Sequence, residues 1–333
     1  MKISAIRVSK GRLLRIDTLK DRFSIQRIAT VVWAIIRAVI VSGICFMIFY
    51  PTLLRLSVTF MQERDLFDLT VRYIPRNFTL DNILLVWRAM GMPETMLNTL
   101  RLSVLTSILQ LASCTIIGYG FARFNFKGRG LLFSLVLVTL VVPPQTIMIP
   151  LFLHFRFFDI FGLLTLGGGQ GVNLLDSYWP FILMSSTGMG LRNGLYIFIM
   201  RQFFRGMPKE LEEAAYVDGA GLFRTFHTIM LPSAIPAMVT IFLFSFVWQW
   251  TDNFYAPLFL RELSVFANTL SGLPSTIAQL HYWEVGTFAI MSPAVGSMYN
   301  NVGSLIAIVP LVVVYLVAQR HFIQSVERAG IVG

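Results

Sequence analysis

Side chains that could serve as acids, bases or metal ligands are scattered along this sequence. The four histidines stand far apart, at His154, His227, His281 and His321. They form no HExxH pair and have no close set of cysteine ligands, so the usual spacings of a zinc site are missing. Asp252 with His281 is the best acid–base candidate, and it is a thin one. The sequence therefore predicts neither a catalytic site nor a metal site.

Nucleotide binding is also disfavoured, although two stretches are rich in glycine. No GxxxxGKS/T run is present to hold the phosphates of ATP. Residues 167–171 read GGGQG, but no phosphate-binding helix or Lys-Ser/Thr pair follows them. Residues 188–194 read GMGLRNG, but no strand precedes them and they lie within an apolar run. We interpret the first stretch as a flexible insert in an outer loop and the second as a break in a membrane helix.

The most distinctive polar segment is residues 203–232, a long charged stretch between two strongly apolar ones. Pro208 suits a first helical position, where its missing N–H costs nothing. Acids occupy the first turns, where the helix dipole favours negative charge, at Glu210, Glu212 and Glu213. Gly219 is placed to end this helix, and residues 222–229 can form a second one. The pattern predicts a helix–turn–helix over residues 207–230.

One face of the first of these helices carries small side chains. Leu211, Ala214 and Ala215 share a face by their i, i+3, i+4 spacing. The two alanines would let the groove of another protein approach the helix closely. The segment is therefore a candidate docking element, with a generic amphipathic loop helix as the alternative.

The composition is that of an integral membrane protein. Of the 333 residues, 56% are hydrophobic, and the mean hydropathy is +0.70. Several runs approach the roughly 20 apolar residues that a helix needs to cross a bilayer. Pro143-Pro144 must kink or interrupt one of them, and Cys45 and Cys114 lie in others as small hydrophobes. We predict an all-α fold with about six transmembrane helices, near residues 32–54, 97–120, 131–153, 178–204, 233–250 and 302–319.

The net charge of +10 is best explained by membrane topology. Basic residues dominate residues 1–30 and the 123–129 connection, and they also follow the last apolar run. Under the positive-inside rule these segments face the cytoplasm, so we predict cytoplasmic N- and C-termini and an outer loop at 55–96. Lipid is the expected surrounding. A nucleic-acid partner is disfavoured, because the charge does not sit on a soluble basic domain.

Polar and aromatic groups in or beside the apolar runs are candidates for a solute path. Arg192 and Asn193 lie in the fourth run. A charge inside the membrane normally faces a cavity or a partner, but a shorter or tilted span would place Arg192 at the outer interface, and both interpretations stay open. Further candidates lie at the end of the fifth run and just after it: Trp248 and Trp250 as interfacial anchors, and Asp252 and Asn253 as polar groups of an outer vestibule.

A family resemblance lies in the charged segment and its flanks. Glu213-Ala214-Ala215, Asp218-Gly219-Ala220, Ile229 and Leu231-Pro232 resemble the EAA motif of ABC importer permeases. From about residue 93 onward the chain is similar to carbohydrate-type, MalG-like permeases, through residues 141–152 (VVPPQTIMIPLF), 200–221, 246–260 and 317–333. The resemblance implies a MetI-like permease fold and a binding-protein-dependent importer of sugars or oligosaccharides.

Partners and a coupling site are implied by the same resemblance. It implies a second permease subunit, two ATPase subunits that bind ATP and Mg, and an extracytoplasmic solute-binding protein, assembled at a bacterial cytoplasmic (inner) membrane. This chain would then be no enzyme and would carry no cofactor. The resemblance also assigns contact with the ATPase to one helix and its turn: Leu211, Glu213, Ala214, Ala215, Asp218, Gly219 and Ala220.

The predicted layout is a basic cytoplasmic tail (1–30), a first span with its outer loop (31–92), a permease core of five spans (93–320) and a cytoplasmic tail (321–333). Three other functions stay open. The chain could be an importer permease for a non-sugar solute, because the EAA motif reports the ATPase contact and not the cargo. It could also be a membrane-embedded transferase, or a secondary transporter, although no internal repeat supports the last.

Overall fold

The computed structural model describes residues 9–160, 162–163, 171–286 and 291–330. Within these ranges the chain is helical and forms no strand, apart from isolated bridges that pair Met61 with Phe78 and Phe158 with Val172. The ends of the two predicted tails, at 1–8 and 331–333, and most of the predicted insert at 167–171 lie outside the described residues.

The described helices fall into three sets along the chain. The first eight are α1 (Ser9–Thr59), α2 (Glu63–Phe67), α3 (Asp81–Ala89), α4 (Met92–Arg123), α5 (Arg129–Val141), α6 (Pro144–Arg156), α7 (Trp179–Ser186) and α8 (Asn193–Gly206). The next four are α9 (Glu210–Val217), α10 (Leu222–Thr225), which continues through a π-helical turn (Phe226–Met230) into α11 (Leu231–Ser233), and α12 (Ile235–Trp250). The last are α13 (Tyr255–Phe259), α14 (Phe266–Ser271), α15 (Leu273–Val285) and α16 (Pro293–Gly330).

Three of the described helices are long and apolar enough to cross a membrane, namely α1 over residues 28–59, α4, and α16 over residues 293–317. Two bent pairs raise this number to five if each pair is one span: α5 with α6, bent by 102°, and residues 222–233 with α12, bent by 73°. The predicted fourth span is different. Residues 178–204 divide into α7 and α8 around a break at 187–192, so this run does not cross as one continuous helix.

Helix α4 is the centre of the bundle and packs against α7, α8 and α12. Its buried face is rich in small hydroxyl and amide side chains, among them Thr99, Ser103, Ser107 and Gln110. Such residues let helices approach closely and bond across the interface where lipid provides no hydrophobic driving force. In contrast, α1 exposes its apolar length and touches mainly α16. The core that positions the site is therefore the α4–α8–α12 group.

The segment that connects α1 to α3 is fixed by hydrogen bonds of buried polar side chains. The buried Asp65 carboxylate accepts hydrogen bonds from the backbone N–H of Asn77 (2.8 Å) and from its side-chain amide (2.6 Å). The side-chain amide of Asn82, in α3, donates to the carbonyls of Thr59 (3.0 Å) and Met61 (2.7 Å). These bonds hold residues 60–79 against the start of α3. The hydrogen bonds from Asn77 stabilise the ionised form, so they lower the pKa of Asp65 below its ordinary value.

This lowered pKa predicts a pH-dependent contribution to stability. A carboxyl group whose pKa is lower in the folded state stabilises fully above its unfolded pKa of about 3.9, and the contribution disappears as the pH falls through the folded value. We expect Asp65→Asn to melt below the wild type at pH 7, and the gap to shrink below about pH 4. Thermal unfolding of the purified chain between pH 7 and 3 measures it. A gap independent of pH would mean that the Asp65 charge contributes nothing.

Candidate functional site

The predicted docking helix exists as α9, and its end is built as expected. The N–H of Gly219 donates to the carbonyl of Tyr216 (3.1 Å), and that of Ala220 to the carbonyl of Ala215 (2.9 Å). Gly219 itself has a φ of +79°, the left-handed conformation that favours glycine. This pair of bonds is the Schellman arrangement that ends a helix sharply. The start is different, because α9 begins at Glu210, so Pro208 precedes the helix and does not occupy its first position.

The two faces of α9 differ from the predicted division. Glu212 and Ala215, one turn apart, point into the protein with 8% and 4% of their surface exposed. Leu211, Glu213 and Ala214 are exposed. The expectation that Ala214 and Ala215 together form an outward small-residue face is therefore wrong for Ala215, which packs inside its own chain. Of the remaining predicted coupling residues, Asp218 and Gly219 are exposed and Ala220 is half-buried.

The inward face of α9 is fastened to the end of α4. Glu212 accepts a hydrogen bond of 3.0 Å from the Tyr119 hydroxyl, and its carboxylate lies 3.5 Å from Nε of Arg123. Arg123 also donates to the carbonyl of Met207 (2.8 Å), just before α9. The Arg123 and Glu212 side chains are both nearly buried, so the pair is hard to break without leaving an unpaired charge. The role of Glu212 was missed from the sequence, where it was one acid among three in the first turns.

The outer surface of this hairpin carries large apolar side chains. Val217 is 88% exposed and Phe223 is 80% exposed, with Leu211, Tyr216 and Leu222 partly exposed around them. Apolar groups gathered on a polar end of a protein typically mark a contact with another protein. An amphipathic helix presented in this way fits a hydrophobic groove. The hairpin of α9 and α10 is thus attached to α4 through its buried face, and its other face is exposed.

A second site is a cavity of about 580 Å³ at the point where two helix breaks meet. One break is the sharp bend at Pro143-Pro144 between α5 and α6, and the other is residues 187–192 between α7 and α8. Irregular backbone at membrane depth is tolerated where it lines a water-filled cavity, because the backbone groups it frees must find partners. This arrangement is therefore a candidate for part of a polar path.

Arg192 and Asn193 both line this cavity. Arg192 is exposed, has a φ of +62°, and holds its guanidinium 4.5 Å from the centre of the Trp248 ring. Asn193 is only 2% exposed, and neither its amide nitrogen nor its amide oxygen bonds to another described group. Burying an amide without hydrogen-bond partners costs free energy, so the Asn193 side chain is suited to bind a polar solute or a water molecule.

The other predicted path residues have different positions. Trp250 is buried and donates from its ring nitrogen to the carbonyl of Ala307 (3.0 Å), so it joins α12 to α16. Asp252 is buried and caps α13, accepting from the backbone N–H groups of residues 254, 255 and 256 at 2.9 to 3.0 Å. Neither residue lines the cavity, and neither do Trp248 and Asn253, which are both exposed. Trp250 was predicted to be an interfacial anchor and Asp252 a polar group of an outer vestibule, with both as candidates for the solute path, and their burial corrects these expectations.

The part of the chain that the structure describes holds no group of three or more His, Cys, Asp or Glu side chains that could bind a metal ion. The occupied oxygens of Asp252 also weaken its case as half of an acid–base pair with His281. What remains in the described residues is a helical membrane fold with an exposed apolar hairpin and a cavity between broken helices, an arrangement that fits a membrane permease.

Comparison with known proteins supports this interpretation as a membrane permease. Residues 115–328 match the family model for "Binding-protein-dependent transport system inner membrane component". This match covers more than half of the chain, and the chain belongs to that family. A crystal structure of a bacterial ABC transporter involved in the import of the acidic polysaccharide alginate has the same fold, with a TM-score of 0.63 and 22% identity over 87% of this chain and 96% of the other. The MetI-like permease fold is thereby confirmed.

Curated relatives extend the similarity over most of the chain. The arabinooligosaccharide transport permease AraQ of Halalkalibacterium halodurans is 28% identical over 296 residues, covering 87% of this chain and 93% of that protein. The permease GgtD of Synechocystis, which takes up osmoprotective compounds, is 32% identical over 259 residues and 76% and 75% of the two chains. The trehalose transport permease SugB of Mycobacterium tuberculosis is 24% identical over 262 residues, or 79% and 85%.

Proposed function

We propose that this chain is a transmembrane permease subunit of an ATP-driven importer and forms half of the translocation path for a sugar or oligosaccharide. The observation that carries the proposal is the family match over residues 115–328, which includes both the α9 hairpin and the cavity between the helix breaks. The names of the arabinooligosaccharide and trehalose permeases support a saccharide cargo. In this proposal the chain lies in the inner membrane of a bacterium with both termini in the cytoplasm.

The chain supplies no catalysis of its own in this proposal. ATP and Mg are bound by two separate ATPase subunits, a second permease completes the path, and an external binding protein delivers the solute. The exposed residues of the hairpin meet the ATPase, namely Leu211, Glu213, Ala214, Asp218 and Gly219, with Ala220 beside them. Ala215 supports this contact from the buried side.

Coupling follows from how α9 is held. When the ATPase closes and moves α9, the bonds from Glu212 to Tyr119 and Arg123 pass the movement to the end of α4. Helix α4 packs along α8 and α12, whose neighbouring segments contain the break at 187–192 and the bend before α12. A rigid shift at the hairpin can therefore rearrange the cavity and switch access from one side of the membrane to the other.

A co-purification experiment tests this function. The chain is extracted from its native membrane in a gentle detergent, the proteins that accompany it are identified, and ATPase activity is assayed. We expect a second permease and a P-loop ATPase, with uptake and stimulated ATPase activity lost in Gly219→Asp. Gly221→Asp is the matched control, because Gly221 lies in the same turn with a negative φ of −74°. A chain that purifies alone with no ATPase would overturn the proposal.

A non-sugar cargo is the second candidate, and one relative favours it. The permease for osmoprotective compounds, whose name specifies no saccharide, is 32% identical over 76% of this chain. A solute screen on the purified complex distinguishes the candidates, since stimulation of the ATPase by saccharides and not by small zwitterionic osmolytes would favour the first. Catalysis by a membrane-embedded transferase has no comparable support.

Arg192 provides a test of the path itself. Arg192→Ala removes the cation that lines the cavity and contacts Trp248. If this group contacts the solute, uptake should show an apparent KM raised by about tenfold, which corresponds to the loss of about 1.4 kcal/mol. Arg261→Ala is the matched control, because Arg261 makes a similar contact of 4.9 Å with the Phe152 ring outside the cavity. Equal kinetics in the two variants would place Arg192 at the interface and not on the path.

A further inference from the structure

A second cavity, also of about 580 Å³, lies where the ends of α4, α5, α8 and α9 meet. Its wall is strongly basic. Five cationic side chains line it, against two carboxylates: Arg123, Arg129, Arg201, Arg205 and Lys209, with Glu212 and Glu213. The Arg123–Glu212 ion pair neutralises one of each sign, which leaves four cations facing one acid. We call this site the basic cavity.

The other four cations of the basic cavity have no ionic partner among the described residues. Arg129 donates to the side chain of Asn125 (2.9 Å) and to the carbonyl of Ala122 (3.1 Å). Arg201 donates to the carbonyl of Phe121 (3.4 Å) and lies 3.8 Å from the centre of the Phe133 ring. Among the described residues, no carboxylate lies within ion-pair distance of Arg129, Arg201, Arg205 or Lys209. Arg129 and Arg205 also repel Arg201 electrostatically. An anion in the cavity would relieve this repulsion.

An apolar surface begins at the same place. Helix α5 starts at Arg129, and along it Leu131, Leu135 and Val138 are all exposed. The α5–α6 pair and α4 are candidate membrane spans, so the basic cavity lies at the level where spans leave the apolar layer. A ligand with one anionic phosphate group and long acyl chains matches both features. A free phosphate ion would use only the first.

From this juxtaposition we propose that the basic cavity binds the phosphate headgroup of an anionic phospholipid, with its acyl chains along α5. Basic pockets at the cytoplasmic ends of membrane helices are suited to such headgroups. Glu213 and Tyr216 of α9 line the same cavity, so the bound lipid lies directly beside the hairpin that meets the ATPase in the proposed function. Occupancy of the cavity therefore biases the position of α9. The lipid site itself does not depend on what the chain transports.

The test measures lipid binding to the purified full-length chain in nonionic detergent. Native mass spectrometry follows retention of phosphatidylglycerol, with phosphatidylcholine as the zwitterionic reference. The double variant Arg205→Gln/Lys209→Gln removes two exposed cations of the cavity. The matched control Lys127→Gln/Arg224→Gln removes two exposed cations outside the cavity, from the α4–α5 connection and from α10. Both variants lose the same net charge.

We expect the cavity variant to bind phosphatidylglycerol at least about tenfold more weakly, since each basic group near an anionic membrane surface contributes a factor of several. The control variant should stay within about twofold of the wild type. An equal loss in the two variants, or no loss in either, would overturn the proposal, because binding would then follow net charge alone. Loss of phosphatidylcholine binding in parallel would do the same.

Two further measurements distinguish the lipid from other occupants of the basic cavity. Inorganic phosphate is added to the same titration, and displacement of the lipid at low millimolar phosphate would assign the cavity to a soluble anion and overturn the lipid proposal. The ATPase is then co-purified with each variant. Normal lipid binding by the cavity variant combined with loss of the ATPase would mean that an acidic protein surface fills the cavity, and would likewise overturn it. Because binding is measured without transport, failure of the importer function does not affect this result.

Discussion

Glu212→Ala is expected to destabilise the chain strongly, whereas a change at the adjacent Glu213 is expected to leave its stability unchanged. Glu212 is nearly buried, accepts from the Tyr119 hydroxyl and pairs with Arg123. Its removal leaves a buried guanidinium without a counter-charge, and breaking a buried ion pair from one side costs about 3–5 kcal/mol. The melting temperature in detergent should therefore fall by many degrees. Tyr119→Phe removes one hydrogen bond and keeps the ion pair, so it should cost less, about 1–3 kcal/mol.

Glu213 is the matched control, because it is the next residue on the same helix and is exposed. Glu213→Ala should melt close to the wild type and insert normally, yet abolish uptake if this face meets the ATPase. Glu212→Ala should lose uptake together with stability. Thermal unfolding and uptake assays on both variants separate the two roles. A large drop in melting temperature for Glu213→Ala, or none for Glu212→Ala, would contradict the assignment of the buried and exposed faces of α9.

The difference between these two glutamates shows where sequence reasoning stops. The helix itself and its end at Gly219 were predictable, because helix dipoles and left-handed glycines act locally. The inward direction of Glu212 and Ala215 was not, since that face of α9 is fixed by the hydrogen bond that Glu212 accepts from Tyr119, 93 residues earlier in the chain and brought near only by the tertiary fold. Placing Pro208 at the first helical position was also wrong, because α9 begins two residues later.

The cavity between the two helix breaks was likewise only partly predictable from the sequence. The break at Pro143-Pro144 follows from two missing backbone donors, but the bend of 102° and its meeting with the 187–192 break depend on packing. Trp250 was predicted to be an interfacial anchor and Asp252 a polar group of an outer vestibule, because aromatic and polar residues at the end of an apolar run are typical of an interface. One local feature of the sequence favoured a helix-capping role for Asp252 instead. An aspartate just before a short helix is a common capping residue, and Asp252 bonds the first N–H groups of α13 in that way.

The second large effect is expected at Gly118, where α4 and α8 touch. A Cβ atom at this position would lie 2.5 Å from Cβ of Met200 and 3.0 Å from the backbone nitrogen of Arg201. These atoms belong to a packed helix and cannot move aside without separating the two helices. Overpacking of this kind costs about 1–3 kcal/mol for a small addition. Gly118→Ala should therefore lower the melting temperature, although alanine is the better helix former by about 1 kcal/mol.

Gly120 supplies a control on the same helix, because a Cβ there meets only the Phe124 ring at 4.0 Å. Gly120→Ala should be neutral or slightly stabilising, so the two alanine variants should shift in opposite directions. Gly118→Leu should go further and prevent α4 from docking on α8, which would appear as loss of monodisperse protein in detergent chromatography. Since α8 carries Arg192 and Asn193 at its start, the same change should also remove uptake. Equal melting temperatures for Gly118→Ala and Gly120→Ala would mean that α4 and α8 are not in close contact, and the path to the cavity would have to be built on another pair of helices.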